Sequence, residues 1–453
     1  MSEIEERLAE LERLGLHRRT RIVDGPQGAR VLLDGKPVLL LCSNNYLGLA
    51  DHPRVREAAA GAAMRWGVGA GASRLVSGTM TIHRRLEQRL AAFEGTEGCV
   101  LFGSGYLANA GAIGALAGRG DTIFSDELNH ASIVDGCRLS GAKIVVYKHR
   151  DVDDLERSLR RGDGGGGDGG DGGGSDGGGS DRGGSDRGGG GGGRRLIVTD
   201  SVFSMDGDIA PLREIVGLAK EYGARTIVDE AHAIGAIGPG GRGAIAQAGL
   251  RGEVDIAIGT LGKALGSYGA YACASEEMVR YLINTARPLI FSTAPPPPAV
   301  AGALAALELL EEEPDRVQRL RSNARALRSA LAAEDIDAKD AADTSDTSDT
   351  FDTSGTSDTE TEMHIVPLIV GEERAAMDLC EAALKRGIFA QAIRPPTVAP
   401  GTSRLRLAVM ATHTTEELSE AARVLAEAAR DLGLDLRMMN SNAGIEPGLV
   451  RAA

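Results

Sequence analysis

The sequence is short of lysine, of pairable cysteine and of any long apolar run. Seven of its fifty basic residues are lysine (Lys36, Lys143, Lys148, Lys220, Lys263, Lys339 and Lys385), so a lysine set among small residues stands out. The five cysteines (Cys42, Cys99, Cys137, Cys273 and Cys380) are odd in number, far apart and not paired with histidines at metal-ligand spacing. That excludes a disulfide framework and a zinc site of the usual kind, leaving reduced, mostly buried thiols and no metal as the expectation. No run of about 18 apolar residues occurs, and residues 1–16 form an acidic amphipathic helix pattern without an h-region or cleavage site. A soluble, cytoplasmic protein is expected. Clustered cations are missing as well: the formal charge of −14 speaks against a nucleic-acid surface, which relies on Lys and Arg clusters. An acid-rich, lysine-poor surface suits high salt, where screening weakens self-repulsion, and a halophilic source is expected.

What is there is a globular chain of 453 residues, 42% hydrophobic, long enough for two or three domains and a substantial core. Two low-complexity stretches interrupt it. Residues 162–193 consist of Gly, Asp, Ser and Arg and hold 21 of the 63 glycines; residues 340–362 repeat Asp-Thr-Ser units around Phe351. Neither can bury enough apolar surface to offset its ordering entropy, so both are expected to be mobile surface insertions without chemistry of their own.

Around these stretches, β-rich runs at 99–102, 122–125, 143–147, 196–199, 226–229 and 256–259 alternate with helical patterns at 107–116, 131–139, 152–159 and 212–221. Such alternation implies an α/β fold with a mainly parallel sheet covered on both faces. After the turn Pro295–Pro298 come long helices, then strand, helix, strand, strand, helix from Met363 to Leu432, a smaller α+β domain. The expected division is a helix and arm over 1–50, a large domain over 51–294, a small domain over 295–436 and a tail over 437–453.

Ligands of open parallel sheets sit beyond the carboxyl ends of the strands, and four such ends carry suggestive residues. Gly103-Ser104-Gly105-Tyr106 opens a helix with a small-residue turn, which offers backbone N–H groups and a positive dipole end to a phosphate, although alone it is equally an ordinary βα turn. Asp229-Glu230-Ala231-His232 ends a strand; its first carboxylate fits a metal, a helix cap, or a pyridine nitrogen that it would keep protonated. In Thr260-Leu261-Gly262-Lys263-Ala264-Leu265-Gly266, small neighbours let a bulky ring approach a lysine whose burial would favour the neutral, nucleophilic amine. His130, in Asn129-His130-Ala131-Ser132, could stack on that ring, the alternative being a helix cap at Asn129 or Ser132. Together the four describe a site for pyridoxal 5'-phosphate (PLP) joined to Lys263 as a Schiff base.

The order of motifs resembles the α-oxoamine synthases, within fold-type I PLP-dependent transferases. Ser43-Asn44-Asn45-Tyr46-Leu47-Gly48-Leu49, Gly71-Ala72-Ser73-Arg74 with Gly78, Asn129–Ser132, Phe203-Ser204-Met205-Asp206-Gly207-Asp208, Asp229–His232 and the Lys263 segment carry the resemblance, over about residues 16–432 without the two low-complexity stretches. It implies a seven-stranded, mainly parallel sheet and a homodimer with sites at the interface. Lys263 would be the covalent anchor and acid/base, Asp229 the partner of the ring nitrogen, and His130 the stacking residue. Ser204 and His232 would bond the phenolic oxygen, and Thr260 with the backbone of Gly105 and Tyr106 would hold phosphate. Ser292 and Thr293 would reach the neighbouring subunit's phosphate. Substrates would be L-alanine or glycine and an acyl-CoA or acyl-carrier thioester, with Asn44, Arg18 and Arg394 in contact with them. Arg394 would grip the amino-acid carboxylate through its bidentate fork. The segments Ile393–Val398 and Gly401–Arg406 are most similar to members that join L-alanine to a pimeloyl thioester, with glycine C-acetyltransferases next and an aminotransferase as the rival class. Asp200 departs from the pattern, standing where Glu is expected.

Overall fold

Helix α1 (Glu3–Arg13) starts with a reciprocal cap: Ser2 Oγ accepts the Glu5 amide and the Glu5 carboxylate accepts the Ser2 amide. This computed structural model describes residues 2–163, 193–336, 338 and 363–436. The bulk of both low-complexity stretches, and the tail from 437, lie outside the described residues. None of the residues of α1 is buried. Three short strands follow, β1 (Val23–Asp24), β2 (Arg30–Leu33) and β3 (Lys36–Leu40), the last two joined by a tight turn with Asp34 and Gly35 at φ of 50° and 78°. They add a meander to the helix and arm expected over residues 1–50; strands this short leave little periodic signal.

Helices α2 (Pro53–Trp66) and α3 (Thr81–Glu94) lead into the alternating region. Its elements are β4 (Gly98–Phe102), α4 (Gly105–Leu116), β5 (Thr122–Asp126), α5 (Ala131–Ser140), β6 (Lys143–Tyr147), α6 (Val152–Asp163), β7 (Arg195–Asp200), α7 (Leu212–Glu221), β8 (Arg225–Asp229), α8 (Gly243–Gln247), β9 (Ile256–Thr260) and β10 (Ala270–Ala274). The six expected strands and four expected helices are all present, with ends moved by a few residues; β10 is the seventh strand. The sheet order is β4-β10-β9-β8-β7-β5-β6, with β5 to β9 parallel and β10 antiparallel to both its neighbours. Because β10 is reversed on both sides, β4 again points the same way as β9. The carboxyl ends of β4, β5, β7, β8 and β9 therefore share one edge of the sheet.

The strand period of two explains why these runs are almost continuously apolar. Leu196, Val198, Ile227, Ile256 and Ile258 enter one core, under α4, α5 and α9 (Glu276–Thr285), whereas Ile197, Val228, Ala257 and Tyr271 enter the core on the opposite face. A sheet covered on both sides has no solvated face to encode. Helix α10 (Arg287–Ile290) and the long helices α11 (Pro297–Glu312) and α12 (Asp315–Ala333) follow. The remainder is β11 (Ile365–Gly371), α13 (Glu373–Lys385), β12 (Ile388–Phe389), β13 (Gln391–Ile393), β14 (Ser403–Ala408) and α14 (Thr415–Asp431). The order β11-β14-β13 makes a three-stranded antiparallel sheet, while β12 runs parallel to β3 and ties the amino-terminal meander to this part of the molecule. All five cysteines are free and four are buried.

Candidate active site

Helix α4 joins two parts of the site. Its N-cap is Ser104, which accepts the Leu107 amide at 3.2 Å, so Gly105 and Tyr106 occupy the first turn, where amides have no intrahelical acceptor. One turn further on, Asn109 is 1% exposed and donates to Asp229 Oδ2 at 2.6 Å and to Ser132 Oγ at 2.9 Å. The other Asp229 oxygen accepts the Ala231 amide at 2.8 Å. The carboxylate is thus fixed at both oxygens, and its orientation depends on α4 as much as on β8.

His130 caps α5: its Nδ1 accepts the Ser132 amide at 3.2 Å and lies 2.7 Å from Ser132 Oγ. The capping role considered from the sequence falls to the histidine itself. Desolvation, with a contribution from the Lys263 charge, lowers its proton affinity, so the ring is neutral with its proton on Nε2. The residue as a whole remains exposed. Its amide donates to Asp200 Oδ2 at 2.6 Å. The shorter acid that departs from the family pattern therefore has a definite partner: it holds the backbone beneath His130. Burial and the charge of Asp229 push the Asp200 carboxyl well up.

Lys263 follows β9. Its Nζ lies 2.7 Å from His232 Nε2, and His232 Nδ1 lies 2.7 Å from the Tyr46 hydroxyl. Tyr46 also bonds Asn44 Oδ1 at 3.0 Å and accepts from Arg406 at 3.1 Å. The Arg406 guanidinium further donates to Asn44 Oδ1 at 3.1 Å and to the Ser204 carbonyl. Lys263, His232, Asn44 and the Ser204 backbone are in this way one hydrogen-bonded chain. Desolvation lowers the Lys263 amine to about 8, assisted by the Arg406 charge and opposed by Asp229 and Asp200. Burial and the neighbouring lysine drive His232 well down, so it too is neutral.

Thr260 Oγ1 donates to the Gly269 carbonyl and accepts the Gly262 amide, both at 3.2 Å, bracing the turn that leads to Lys263. Thr293 is exposed and bridges to Ser73 through its backbone, beside the cleft shared with Gly103 and Arg74. Arg18 and Arg394 are brought together elsewhere. Arg394 is 7% exposed and donates to the main-chain carbonyls of Gly15 and His17, while Arg18 reaches the Pro395 carbonyl at 3.3 Å. Burial and the nearby Arg18 charge lower the Arg394 proton affinity.

Three participants were not singled out from the sequence: Asn109, Tyr46 and Arg406. Each left a signal. Asn109 is a polar residue amid the small apolar residues of α4, Tyr46 sits inside a quoted motif, and Arg406 is a cation in the wholly buried strand β14.

The donor set fits PLP. A desolvated amine suits an aldehyde, Asp229 suits a ring nitrogen, the His130 ring suits a stacked face, and the α4 amino terminus suits a phosphate. The chain matches the model of the aminotransferase class I and II family over residues 36–425. It is 48% identical over 436 residues to an 8-amino-7-oxononanoate synthase of Citrifermentans bemidjiense, covering 96% of this chain and 100% of that one. It is 47% identical over 429 residues to the enzyme of the same name from Geobacter sulfurreducens, covering 94% and 98%. Among solved structures, a serine palmitoyltransferase from S. paucimobilis with bound PLP and myriocin superposes with a TM-score of 0.80, at 30% identity, over 95% of this chain and 98% of the other. An 8-amino-7-oxononanoate synthase from Francisella tularensis, 24% identical, shares the fold with a TM-score of 0.66 over 88% and 99%.

Proposed function

Because the chain belongs to the aminotransferase class I and II family, we propose that it condenses L-alanine with a pimeloyl thioester, on CoA or a carrier protein, to give 8-amino-7-oxononanoate with loss of CO2. It is a PLP-dependent acyltransferase of the α-oxoamine synthase type. The observation that carries the assignment is the desolvated Lys263 amine, 2.7 Å from a neutral His232 and within the field of Asp229. The near full-length identity to synthases of this name supports the substrate pair.

The cofactor, when bound, supplies the electron sink that lets alanine lose its α-proton and later its carboxylate. Lys263 takes that proton on Nζ and returns one to the product. Asp229, clamped by Asn109 and Ala231, holds the ring nitrogen protonated. His130 stacks on the ring, pinned at Nδ1 so that its plane is set before anything binds. His232 and Ser204 would bond the phenolic oxygen; Gly105, Tyr106 and Thr260 would hold phosphate. Arg394 takes the alanine carboxylate, with Asn44 and Arg18 toward the acyl substrate. Orientation by His130 and Arg394 selects which bond breaks.

The same reading makes the enzyme a homodimer in which Ser292 and Thr293 serve the partner's phosphate. The apolar residues Val76 and Phe291, 79% and 71% exposed, flank the Ser73–Thr293 bridge and support that interface. No helix among the described residues is long and apolar enough to cross a membrane, and a cytoplasmic location follows from the substrates. The charge of −14 with few lysines supports adaptation to high salt; full folding and activity without KCl would refute that part.

The test is thiol release. Alanine with pimeloyl-CoA is expected to free CoA and CO2 together, faster than glycine with acetyl-CoA. The reverse preference would make the enzyme a glycine C-acetyltransferase, and amino transfer to a keto acid without thiol release would make it an aminotransferase.

A further inference from the structure

His149 follows β6 and takes no part in the chains described above, yet it lies half-buried between two carboxylates. Its Nδ1 is 2.9 Å from Asp126 Oδ1, at the end of β5, and its Nε2 is 2.6 Å from Asp208 Oδ2. Asp126 also accepts the amides of Leu128 (2.9 Å) and Arg150 (2.9 Å), and Arg150 reaches Asp208 at 3.4 Å. The imidazole packs edge-on against Phe203, with centroids 4.4 Å apart. Burial alone would discharge the ring, but the two carboxylates outweigh it and raise the imidazole to about 10, so both nitrogens donate.

Asp208 closes a small hairpin whose head is Ser204. The Phe203 amide donates to the Asp208 carbonyl at 3.0 Å, the Gly207 amide to the Phe203 carbonyl at 2.8 Å, and Val202 bridges to Ile209. The far side of this hairpin is held by the other half of the molecule. Arg404 pairs with Asp206, Arg406 bonds the Ser204 carbonyl, and Gly207, at φ 78°, packs so close that a Cβ would stand 2.8 Å from the Ile365 carbonyl. On the sheet side, His149 makes the shorter contact that anchors Asp208 to the end of β5, at 2.6 Å against 3.4 Å for the Arg150 guanidinium beside it.

We infer that His149 is a positioning residue: as a cation clamped between Asp126 and Asp208, it sets the Ser204 hairpin against the sheet and so fixes where the Ser204 hydroxyl meets the cofactor. The inference rests on the proposed role of Ser204. Two carboxylates on opposite sides of one ring define a direction as well as a distance, which a single ion pair does not. Loss of the clamp leaves Asp208, whose Oδ1 has no hydrogen-bond partner among the described residues, with only the longer Arg150 contact on this side, so that it can shift or rotate and take the hairpin with it.

The test compares His149→Gln, Ser204→Ala and the double variant as holoenzymes, with Asp208→Asn standing in should His149→Gln fail to fold. Measured quantities are kcat and KM for alanine, the pH midpoint of the visible absorption band, and hydrogen exchange of the 203–208 amides. His149→Gln is expected to lower kcat roughly 10- to 100-fold with KM nearly unchanged, to move the band midpoint and to speed exchange in the hairpin. The double variant is expected to be no worse than Ser204→Ala, because one residue acts through the other. Losses that multiply in the double variant, or a His149→Gln enzyme with wild-type turnover and band beside an impaired Ser204→Ala, overturn the inference and leave the Ser204 role standing. A silent Ser204→Ala removes that role, and the inference with it.

Discussion

The surroundings of Lys263 and those of Arg394, the proposed substrate end of the site, are built in different ways. Around Lys263, side chain meets side chain: Asn109 to Asp229 at 2.6 Å, Lys263 to His232 at 2.7 Å, His232 to Tyr46 at 2.7 Å, each residue carried at or near the carboxyl edge of one sheet. Around Arg394, the guanidinium is satisfied by main-chain carbonyls of the arm after α1, a segment 379 residues away in sequence with no buried residue in the helix before it. The first end is rigid because its buried side chains bond one another in sequence, so displacing one exposes the next. The second is held by partners that any sequence could offer. An enzyme that must keep its cofactor and exchange its substrates needs that contrast.

The comparison breaks first at Lys263. Lys263→Ala is expected to lower turnover by roughly a thousandfold or more and to abolish the imine absorption near the visible range. A persistent band in this variant, read in the spectrophotometer, would take the lysine end out of the chemistry. A smaller effect comes from pH. In the cofactor-free protein Lys263 titrates near 8 against 10.5 in the unfolded chain, held down by desolvation and Arg406 against the pull of Asp229 and Asp200. Between those values the unfolded chain binds the extra proton, so this lysine makes stability rise with pH. His149 acts with the opposite sign. Desolvation pulls it down, but Asp126 and Asp208 outweigh that and raise it from 6.5 to about 10, so its contribution is full below 6.5 and is lost as pH climbs through 10. Chemical denaturation of apo Lys263→Met from pH 7 to 10 should lack the lysine's rise, on the order of 2–3 kcal/mol, and keep the fall due to His149 and to buried carboxyls such as Glu230. Parallel wild-type and variant curves would mean that the amine is not desolvated in the apoprotein.

How much was legible follows the same division. Strand ends in a parallel sheet place residues by topology, so Lys263, Asp229, His130 and His232 could be gathered from local runs before any coordinates. Asn109 could not, because its use depends on which face of α4 meets β8, a packing fact that the near-uniform small residues of that helix do not encode. The meander β1 to β3 escaped for another reason: its strands have two to five residues, and its pairing with β12 closes only through the far end of the chain. His149 escaped because a lone histidine after a strand has no pattern. Its meaning appears only when Asp126 and Asp208 converge on it.

The smallest expected effect lies at the arginine end. In Arg394→Gln, a charged hydrogen bond to the substrate carboxylate worth about 1.5 kcal/mol is lost, so KM for alanine should rise roughly tenfold while kcat changes little. Stability should barely move, because the carbonyls of Gly15 and His17 belong to an exposed arm where water replaces the guanidinium. Steady-state kinetics with thermal melts on the same samples separate the alternatives. If KM is unchanged and the melting temperature falls, the arginine is a strap for the arm and the carboxylate is gripped elsewhere, with Arg406 the next cation on the path from Asn44 to Ser204. A rise in KM without loss of stability places the grip on a residue that releases main-chain carbonyls to take a carboxylate, an exchange the rigid lysine end could not make.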